Sequence, residues 1–216
     1  MIEKLIARTN TPEFYQDSDL KFISHTRISH NKSEFIFSIN QISYDIPIEY
    51  EEWKITCEEV KAIQGFSYDI LLPYVKMQFV ENHPLLWEFN ENHPQCVIEG
   101  IPANLSELMG DLFLAFEEKT GNWIKVNDHF WNSKNFFSIE TKKQITVPKP
   151  LVKTIEDVIK KHNLTFKIVK ENSRNRNLDY RLSKVLIFGN SDVSPNDFSF
   201  NQHYIIAEEF FGERIK

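Results

Sequence analysis

The stretches SEFIFSIN, residues 33–40, and EEWKITCE, residues 51–58, decide the fold class of this chain. Apolar and polar side chains alternate in both, which is the pattern of a β-strand with one buried face. Similar alternation begins near residue 20 and ends at Gly65, so we predict an antiparallel meander of three or four strands. The phase slips near Glu59, which is typical of a β-bulge. The apolar positions that share a face are Phe35, Phe37 and Ile39 in the first stretch and Trp53, Ile55 and Cys57 in the second.

Two helices are predicted after this meander. YDILLPYVKMQFVE, residues 68–81, is interpreted as a short helix with Pro73 near its first turn, where a missing N–H is tolerated. A clearer helix begins at Asn104, which opens a capping-box-like N-x-x-E pattern, and Gly121 is placed to end it. Between the two helices, CVIEGIP, residues 96–102, predicts a short buried strand.

The chain is predicted to contain two lobes. The periodicity is interrupted and the charge balance changes around residues 132–143, and 216 residues are enough for two packed lobes. The predicted fold class is therefore α+β: an acidic lobe over residues 1–140, with an antiparallel sheet and two helices, precedes a smaller strand-helix-strand-strand-strand lobe over residues 141–216. The elements of the smaller lobe are QITV (144–147), a helix opened by Pro148 and Pro150 and ended by Asn163, LTFKIVKE (164–171), and a hairpin of KVLIFG (184–189) with QHYIIAEEFFG (202–212).

Composition disfavours a secreted, membrane-spanning or disulfide-stabilised protein. The first ten residues, MIEKLIARTN, lack the apolar run of a signal peptide, and no stretch approaches the roughly 20 apolar residues that span a bilayer. Cys57 and Cys96 are too few for a disulfide framework and lack the spacing of a zinc ribbon or a redox pair. With 41% hydrophobic residues and 18 phenylalanines, the chain is expected to be a folded, cytoplasmic protein with reduced, buried thiols and no membrane partner.

Charge is distributed unevenly along the chain. Residues 45–118 contain 15 acidic residues and three lysines, a net charge of −12, whereas residues 147–216 contain 12 basic and nine acidic residues, a net charge of +3. A strongly acidic segment repels the nucleic-acid backbone and attracts cationic proteins through the same long-range field. A basic protein partner is therefore favoured over DNA or RNA, and a surface that serves only solubility is the alternative. The partner hypothesis requires these carboxylates to share one exterior face, without neutralisation by Arg174, Arg176 and Arg181.

The sequence Glu-Asn-His-Pro occurs twice, at residues 81–84 and 91–94, and raises the question of a metal site. Ten residues of helix would separate the two histidines by roughly 15 Å along the axis, and ten residues of strand by about 33 Å. Neither geometry lets His83 and His93 bind one ion, whose nitrogen ligands lie about 2.1 Å away. We therefore interpret each Asn-His-Pro as the end of a segment, with a tight reversal through LLWEFN (85–90) as the one route to a shared site.

No other pattern identifies a catalytic or cofactor site. The six glycines form neither G-x-G-x-x-G nor a P-loop. Cys57 alternates with core positions, where a thiol is inert. We therefore predict no catalytic residue, no metal and no cofactor. One alternative stays open, a hydrolase or nucleic-acid-processing enzyme in which two or more of His83, His93, His129 and Cys57 converge in a pocket.

Aromatic and basic residues interleave in WIKVNDHFWNSKNF, residues 123–136, which is one pattern of a surface for single-stranded nucleic acid. The aromatic residues Trp123, Phe130 and Trp131 would close a small core equally well, and the stretch directly follows the most acidic part of the chain. Nucleic-acid binding is therefore disfavoured.

Five segments spread along most of the chain carry one family resemblance: WKITC (53–57), HPLLW (83–87), NLSELMGDLFLAFEE (104–118), KVLIFGNS (184–191) and HYIIAEEF (203–210). In these segments the chain resembles immunity proteins encoded beside bacterial polymorphic or contact-dependent toxins. The loop SDVSPNDFSFNQ, residues 191–202, departs from that pattern as an insertion. The resemblance implies a protein that binds one cognate toxin tightly, covers the active site of the toxin and performs no chemistry.

The expected function is therefore that of a non-enzymatic immunity or inhibitor protein. Its acidic surface would bind and neutralise a basic toxin, for which a nuclease domain is the expected identity. Complementary charge raises association rates, and buried aromatic anchors supply affinity. The enzyme described above and an adaptor or structural module are the alternatives. The predicted partner-binding residues are Tyr50, Glu51, Glu52, Glu58, Trp87, Glu88, Glu91 and Trp123.

Overall fold

The computed structural model describes residues 2–12, 14, 18–41, 49–66, 71–72, 76–121, 123–130, 141–171, 181–188 and 203–216. These residues form an α+β protein of helices and antiparallel sheets, as predicted. They divide into two compact units. Unit 1 comprises the described residues up to Glu81 and those from Arg181 onward. Unit 2 comprises the described residues from Asn82 to Glu171. Within the described ranges, no helix has the length and apolar character needed to cross a membrane.

The described residues of unit 1 include a helix and two antiparallel sheets. Its elements are α1 (Ile2–Thr9), β1 (Ser18–Arg27), β2 (Lys32–Gln41), β3 (Tyr50–Glu58), β4 (Ala62–Gln64), β5 (Leu71–Leu72), β6 (Met77–Val80), β10 (Lys184–Phe188), β11 (His203–Ala207) and β12 (Glu209–Arg214). The five-stranded sheet has the order β12-β3-β2-β1-β5, and the four-stranded sheet has the order β4-β11-β10-β6.

The predicted meander is present as β1, β2 and β3. In its register Phe35 lies opposite Ile55 and Phe37 lies opposite Trp53, so the apolar positions of the neighbouring strands share one face. Phe37 also stacks on Phe188 of β10, with the ring centroids 4.9 Å apart. The core of unit 1 therefore draws side chains from both sheets, and the alternation in the sequence predicts its inward face.

Two of the passages of the chain from one sheet to the other lie entirely within the described residues. Glu59, with a φ of 53°, follows β3 and leads toward β4, and Glu208 separates β11 from β12. Lys61 Nζ lies 3.4 Å from a carboxylate oxygen of Glu59 and 3.0 Å from one of Glu208, which holds the two crossings together. The bulge predicted near Glu59 is wrong, because the slip in phase marks a left-handed turn between two sheets.

Unit 2 combines a three-stranded antiparallel sheet with helices. Its elements are α2 (Pro84–Asn90), β7 (Gln95–Glu99), α3 (Leu105–Thr120), α4 (Val126–His129), β8 (Lys142–Thr146), α5 (Lys149–Lys161) and β9 (Thr165–Lys170). The sheet has the order β8-β7-β9. The apolar faces of α3 and α5 pack with the inward side chains of the sheet in a second core.

Both predicted ends of α3 are confirmed. Asn104 Oδ1 accepts hydrogen bonds from the backbone N–H groups of Ser106, at 3.1 Å, and of Glu107, at 3.3 Å. Gly121 adopts a left-handed φ of 58° and donates its N–H to the Glu117 carbonyl at 2.7 Å. The termini of this helix are therefore fixed by the residues that the sequence pattern identified.

The helix predicted over residues 68–81 is wrong where the structure describes this stretch. The stretch contains β5, which pairs with β1, and β6, which pairs with β10 so that Val80 lies opposite Val185. Its apolar residues suit either a helix or a strand, and pairing with distant strands decides between them. Pro73 lies outside the described residues.

The division into units differs from the two lobes expected from the sequence. The predicted helix that becomes α5 is present, and Asn163 after it has a left-handed φ of 57°. The predicted hairpin of β10 and β11 is also present, but both strands belong to unit 1, whereas β8 and β9 pair with β7 in unit 2. Residues 131–140, which cover most of the boundary predicted at residues 132–143, lie outside the described residues, as do residues 172–180.

Candidate partner-binding surface

The first Glu-Asn-His-Pro begins a helix. His83 is the N-cap of α2, and its Nδ1 accepts a hydrogen bond from the Leu85 N–H at 3.3 Å, while Pro84 occupies the first turn. The His83 ring is buried and lies edge-on to the ring of Trp123, with centroids 5.1 Å apart. The sequence did not predict α2, because histidine is not one of the residues that commonly mark an N-cap.

The second Glu-Asn-His-Pro ends the same helix. Glu91 is the C-cap, and its N–H donates to the Trp87 carbonyl at 3.2 Å. His93 is buried, with Nδ1 2.9 Å from the Glu91 carbonyl and Nε2 3.0 Å from a carboxylate oxygen of Glu88. The interpretation of each copy as the end of a segment is confirmed, because β6 ends directly before the first copy and α2 ends directly before the second. The side chain of Glu88 is still 47% exposed and presents charge at the surface.

The residues of the enzyme alternative are divided between the units. Cys57 belongs to unit 1, and His83, His93 and His129 belong to unit 2. Burial raises the pKa of Cys57 and raises the pKa of Cys96 to about 11, which holds both thiols in the less reactive protonated form. Burial also lowers the pKa of His129. In the described part of the chain, no group of three or more His, Cys, Asp or Glu residues has a geometry that could hold a metal.

Glu51 lies inside unit 1, which corrects the prediction that it presents charge to a partner. Its side chain is 1% exposed, and its Oε2 accepts a hydrogen bond from Trp53 Nε1 at 2.7 Å. Its Oε1 forms an ion pair with Arg8 and lies 3.7 Å from Arg214 Nη1. The carboxylate therefore joins α1, β3 and β12 and is out of reach of a partner.

The other three predicted residues of unit 1 lie on β3 at the surface. Tyr50 is exposed, and its hydroxyl donates a hydrogen bond to Glu52, which raises the pKa of Tyr50. Lys216 Nζ lies 4.9 Å from the centroid of the Tyr50 ring. Glu58 forms an ion pair with Lys32 at 2.9 Å. These residues are accessible, but the charge of Glu58 is partly neutralised within the chain.

The two predicted tryptophan anchors lie in unit 2. Trp87 on α2 is half-buried and packs against the core of the unit. Trp123 is also half-buried, and its ring meets that of His83. Each tryptophan therefore has a structural role, and their part in partner binding stays a prediction.

The acidic segment over residues 45–118 is shared by the two units, because unit 1 ends its first stretch at Glu81. Many of its described carboxylates have a basic partner, so the net charge of the segment overstates the charge that can attract another protein. Arg174 and Arg176 lie outside the described residues. The ion pairs are Glu49–Arg8 at 3.1 Å, Glu81–Lys184 at 2.9 Å, Glu99–Lys167 at 3.0 Å, Glu99–Lys142 at 3.5 Å and Asp111–Lys161 at 2.7 Å, besides those named above.

The outer face of α3 combines exposed apolar and acidic side chains. Phe113 is 54% exposed and Leu114 is 62% exposed, although both belong to a helix whose other face lies in the core. The carboxylates of Glu107, Glu117 and Glu118 are exposed on the same helix. A signal for this face was present in the sequence, since the helical spacing that predicts the core face of α3 leaves Phe113 and Leu114 outside it.

A hollow of about 130 Å³ lies beside Phe113. This volume is comparable with the roughly 150 Å³ apolar cavity that accommodates a benzene-sized molecule, so it suits one apolar side chain. We call the outer face of α3 together with this hollow the α3 surface. The hollow is lined by Phe113, Phe116, Glu117, Ile124, Lys125, Val126 and Asn127.

Comparison of the chain with protein-family models, curated proteins and solved structures gave no match. The geometry and charge of the described residues are therefore the observations that bear on function.

Proposed function

We propose that this chain is a non-enzymatic immunity protein that binds and neutralises a basic toxin, with a nuclease domain as the target, in the cytoplasm. The observation that carries the proposal is the α3 surface, where Phe113 and Leu114 are exposed beside carboxylates. Adjacent exposed apolar side chains rimmed by polar groups are one pattern of a protein-binding site.

Charge and apolar contact have separate roles in this proposal. The carboxylates of Glu107, Glu117 and Glu118 would steer a cationic protein toward the surface and disfavour acidic competitors. Phe113 and Leu114 would be the desolvated centre of the interface, where a few side chains supply most of the affinity. Acidic steering and an apolar centre together suit an inhibitor that must capture a basic protein quickly and hold it.

The accessible residues predicted from the sequence belong to the proposal in different ways. Glu88, Glu91, Trp87 and Trp123 lie in the same unit as the α3 surface and are proposed to extend it. Tyr50, Glu52 and Glu58 lie in unit 1 and are proposed as additional contacts of a large toxin. Glu51 is excluded from the set because it is buried.

The proposal predicts a gene for a large secreted toxin beside the gene for this chain, and the test uses the C-terminal domain of that toxin. Affinity of the purified domain for the full chain is measured by calorimetry and the association rate by stopped-flow fluorescence, and growth of cells that express the domain is measured with and without the chain. The double variant Glu107→Gln/Glu118→Gln is expected to slow association about tenfold at low salt and to reduce the salt dependence of association. The matched control Glu156→Gln/Asp157→Asn removes the same charge from α5 and is expected to bind like the unmodified chain.

Tight binding together with growth rescue supports the proposal. Binding without rescue indicates an adaptor and overturns the immunity function. Absence of binding, or equal slowing by the α3 and α5 variants, also overturns the proposal, because the α3 surface would then have no special part.

A further inference from the structure

Gly110 lies near the middle of α3. No contact within the folded chain requires a glycine at this position. A Cβ atom built at this position would meet no other atom within 4 Å. Glycine is the least favourable residue in a helix interior after proline, so a glycine that neither turns the chain nor makes room for a neighbour weakens the helix. The space that Gly110 leaves lies on the outside of the molecule, since this residue is exposed.

The position of Gly110 relates it to the α3 surface. Leu114 follows it by four residues and Phe113 by three, so both lie one turn along the same side of the helix. Glu107 precedes it by three residues, and Glu117 follows it by seven. Gly110 is therefore a notch in the acidic and apolar outer face, and the hollow lined by Phe113 lies beside this face.

We propose that the notch receives a basic amphipathic helix of the protein partner, which crosses α3 at Gly110 and places one apolar side chain in the hollow beside Phe113. This inference rests on the proposed function and specifies the structural element that the partner uses. A helix fits because its side chains at i, i+3, i+4 and i+7 can occupy a groove, and because a glycine lets two helix backbones approach closely.

Charge selects this occupant over a second copy of the chain. α3 carries Glu107, Glu117 and Glu118 but only one basic residue, Lys119, and its fourth carboxylate, Asp111, is paired with Lys161. A symmetric dimer through this face would place like charges against one another, which is unfavourable at an interface. A cationic helix places lysine or arginine against the same carboxylates.

The probe is a synthetic helix of about five turns, composed of leucine, lysine and alanine, with the leucines on one face. A control peptide has the same composition, with the leucines spread around the helix. Both are titrated into the isotopically labelled full chain, affinity is measured by fluorescence polarisation, and the site is located by backbone amide shifts. The amphipathic peptide is expected to bind at least about tenfold more tightly than the control peptide and to shift α3 and residues 124–127.

Two variants locate the crossing. Gly110→Gln fills the notch with a good helix former and is expected to weaken peptide binding about tenfold. Lys119→Gln is the matched control, because Lys119 lies nine residues further along α3 and on the opposite side of the helix axis. This variant is expected to change affinity less than about twofold. Circular dichroism checks that both variants keep the helix.

Amide shifts outside α3 and residues 124–127, equal affinity for the two peptides, or unchanged affinity in Gly110→Gln would overturn this inference. Dimerisation of the chain that Gly110→Gln abolishes would also overturn it, since the occupant would then be a second copy. These results are independent of the toxin titration. Toxin binding through the α3 surface without peptide binding preserves the proposed function and removes the partner helix, whereas peptide binding without toxin binding supports the partner helix and removes the proposed function.

Discussion

His83 is a buried histidine whose neutral form is part of the start of α2. Its Nδ1 must be unprotonated to accept the hydrogen bond from the Leu85 N–H. Burial lowers the pKa of His83 from 6.5 to about 4. Its Nε2 has no hydrogen-bond partner among the described residues, so the surroundings offer no oxygen that would stabilise the charged ring.

We predict that acid destabilises the protein through His83. Its pKa is lower in the folded state than in the unfolded state, so the unfolded state takes up a proton first as the pH falls. The stability that neutral His83 contributes is complete above about pH 6.5 and is lost as the pH falls from there to about 4. The loss in the free energy of unfolding at pH 4.5 is roughly 2–3 kcal/mol. His83→Asn retains a side-chain acceptor for the cap without this titration, and should lose correspondingly less stability.

Urea unfolding of both proteins at pH 7 and pH 4.5 measures this difference. Burial also lowers the pKa values of His129 and His203, but these residues titrate in both proteins and cancel in the comparison. Parallel losses of stability in the unmodified protein and in His83→Asn would contradict the prediction.

Glu51 shows how much a single strand pattern can predict about a residue. The alternation of β3 places Glu51 in phase with Trp53 and Ile55, so the pattern itself indicates an inward side chain. Its charge suggested the opposite, because carboxylates are rarely buried without partners. The partners come from residues distant in sequence, Arg8 on α1 and Arg214 on β12, and no local pattern reveals them.

At the level of elements, local signals predicted α3 and non-local contacts determined β6. The caps of α3 depend on residues within a few positions of its ends, so the sequence alone was sufficient. β6 depends on β10, more than 100 residues away, and its apolar sequence is compatible with a helix. The helical pattern of α3 identifies its core face directly, and the exposed Phe113 and Leu114 follow from it as apolar positions outside that face.

Gly110 leads to a prediction about the stability of α3. Gly110→Ala should increase the free energy of unfolding by about 0.5–1 kcal/mol, because alanine favours the helix and its Cβ would meet no other atom. Urea denaturation of the full chain measures the change. A neutral or destabilising result would show that the glycine has a role inside the folded chain.

Gly65→Ala is the matched control for this substitution. Gly65 has a φ of 88°, and a Cβ there would lie 2.9 Å from Cδ2 of His203. The same chemical change should therefore decrease the free energy of unfolding by more than about 1 kcal/mol. Opposite signs at the two glycines would establish that Gly110 is unconstrained within the chain.

At the scale of the whole molecule, unit 2 is inserted between two paired strands of unit 1. The chain leaves unit 1 after β6 and returns before β10, and these strands are antiparallel neighbours with Val80 opposite Val185. The boundary expected from the sequence fell elsewhere because it assumed that each lobe is continuous along the chain. Neither hydrophobic periodicity nor charge reveals that a chain adds strands to an earlier sheet after a whole inserted unit.

This topology predicts which fragments fold. Residues 82–180 produced alone should fold cooperatively, because they contain the sheet, helices and core of unit 2. Replacing the same residues by a short glycine-serine linker should leave unit 1 folded, because β6 and β10 can be joined as a hairpin. Residues 141–216, the lobe expected from the sequence, should not fold, because that cut separates β8 and β9 from β7 and separates β10 from β6. Circular dichroism, thermal unfolding and amide spectra of the three proteins measure these outcomes, and a folded 141–216 beside an unfolded 82–180 would contradict the division into units.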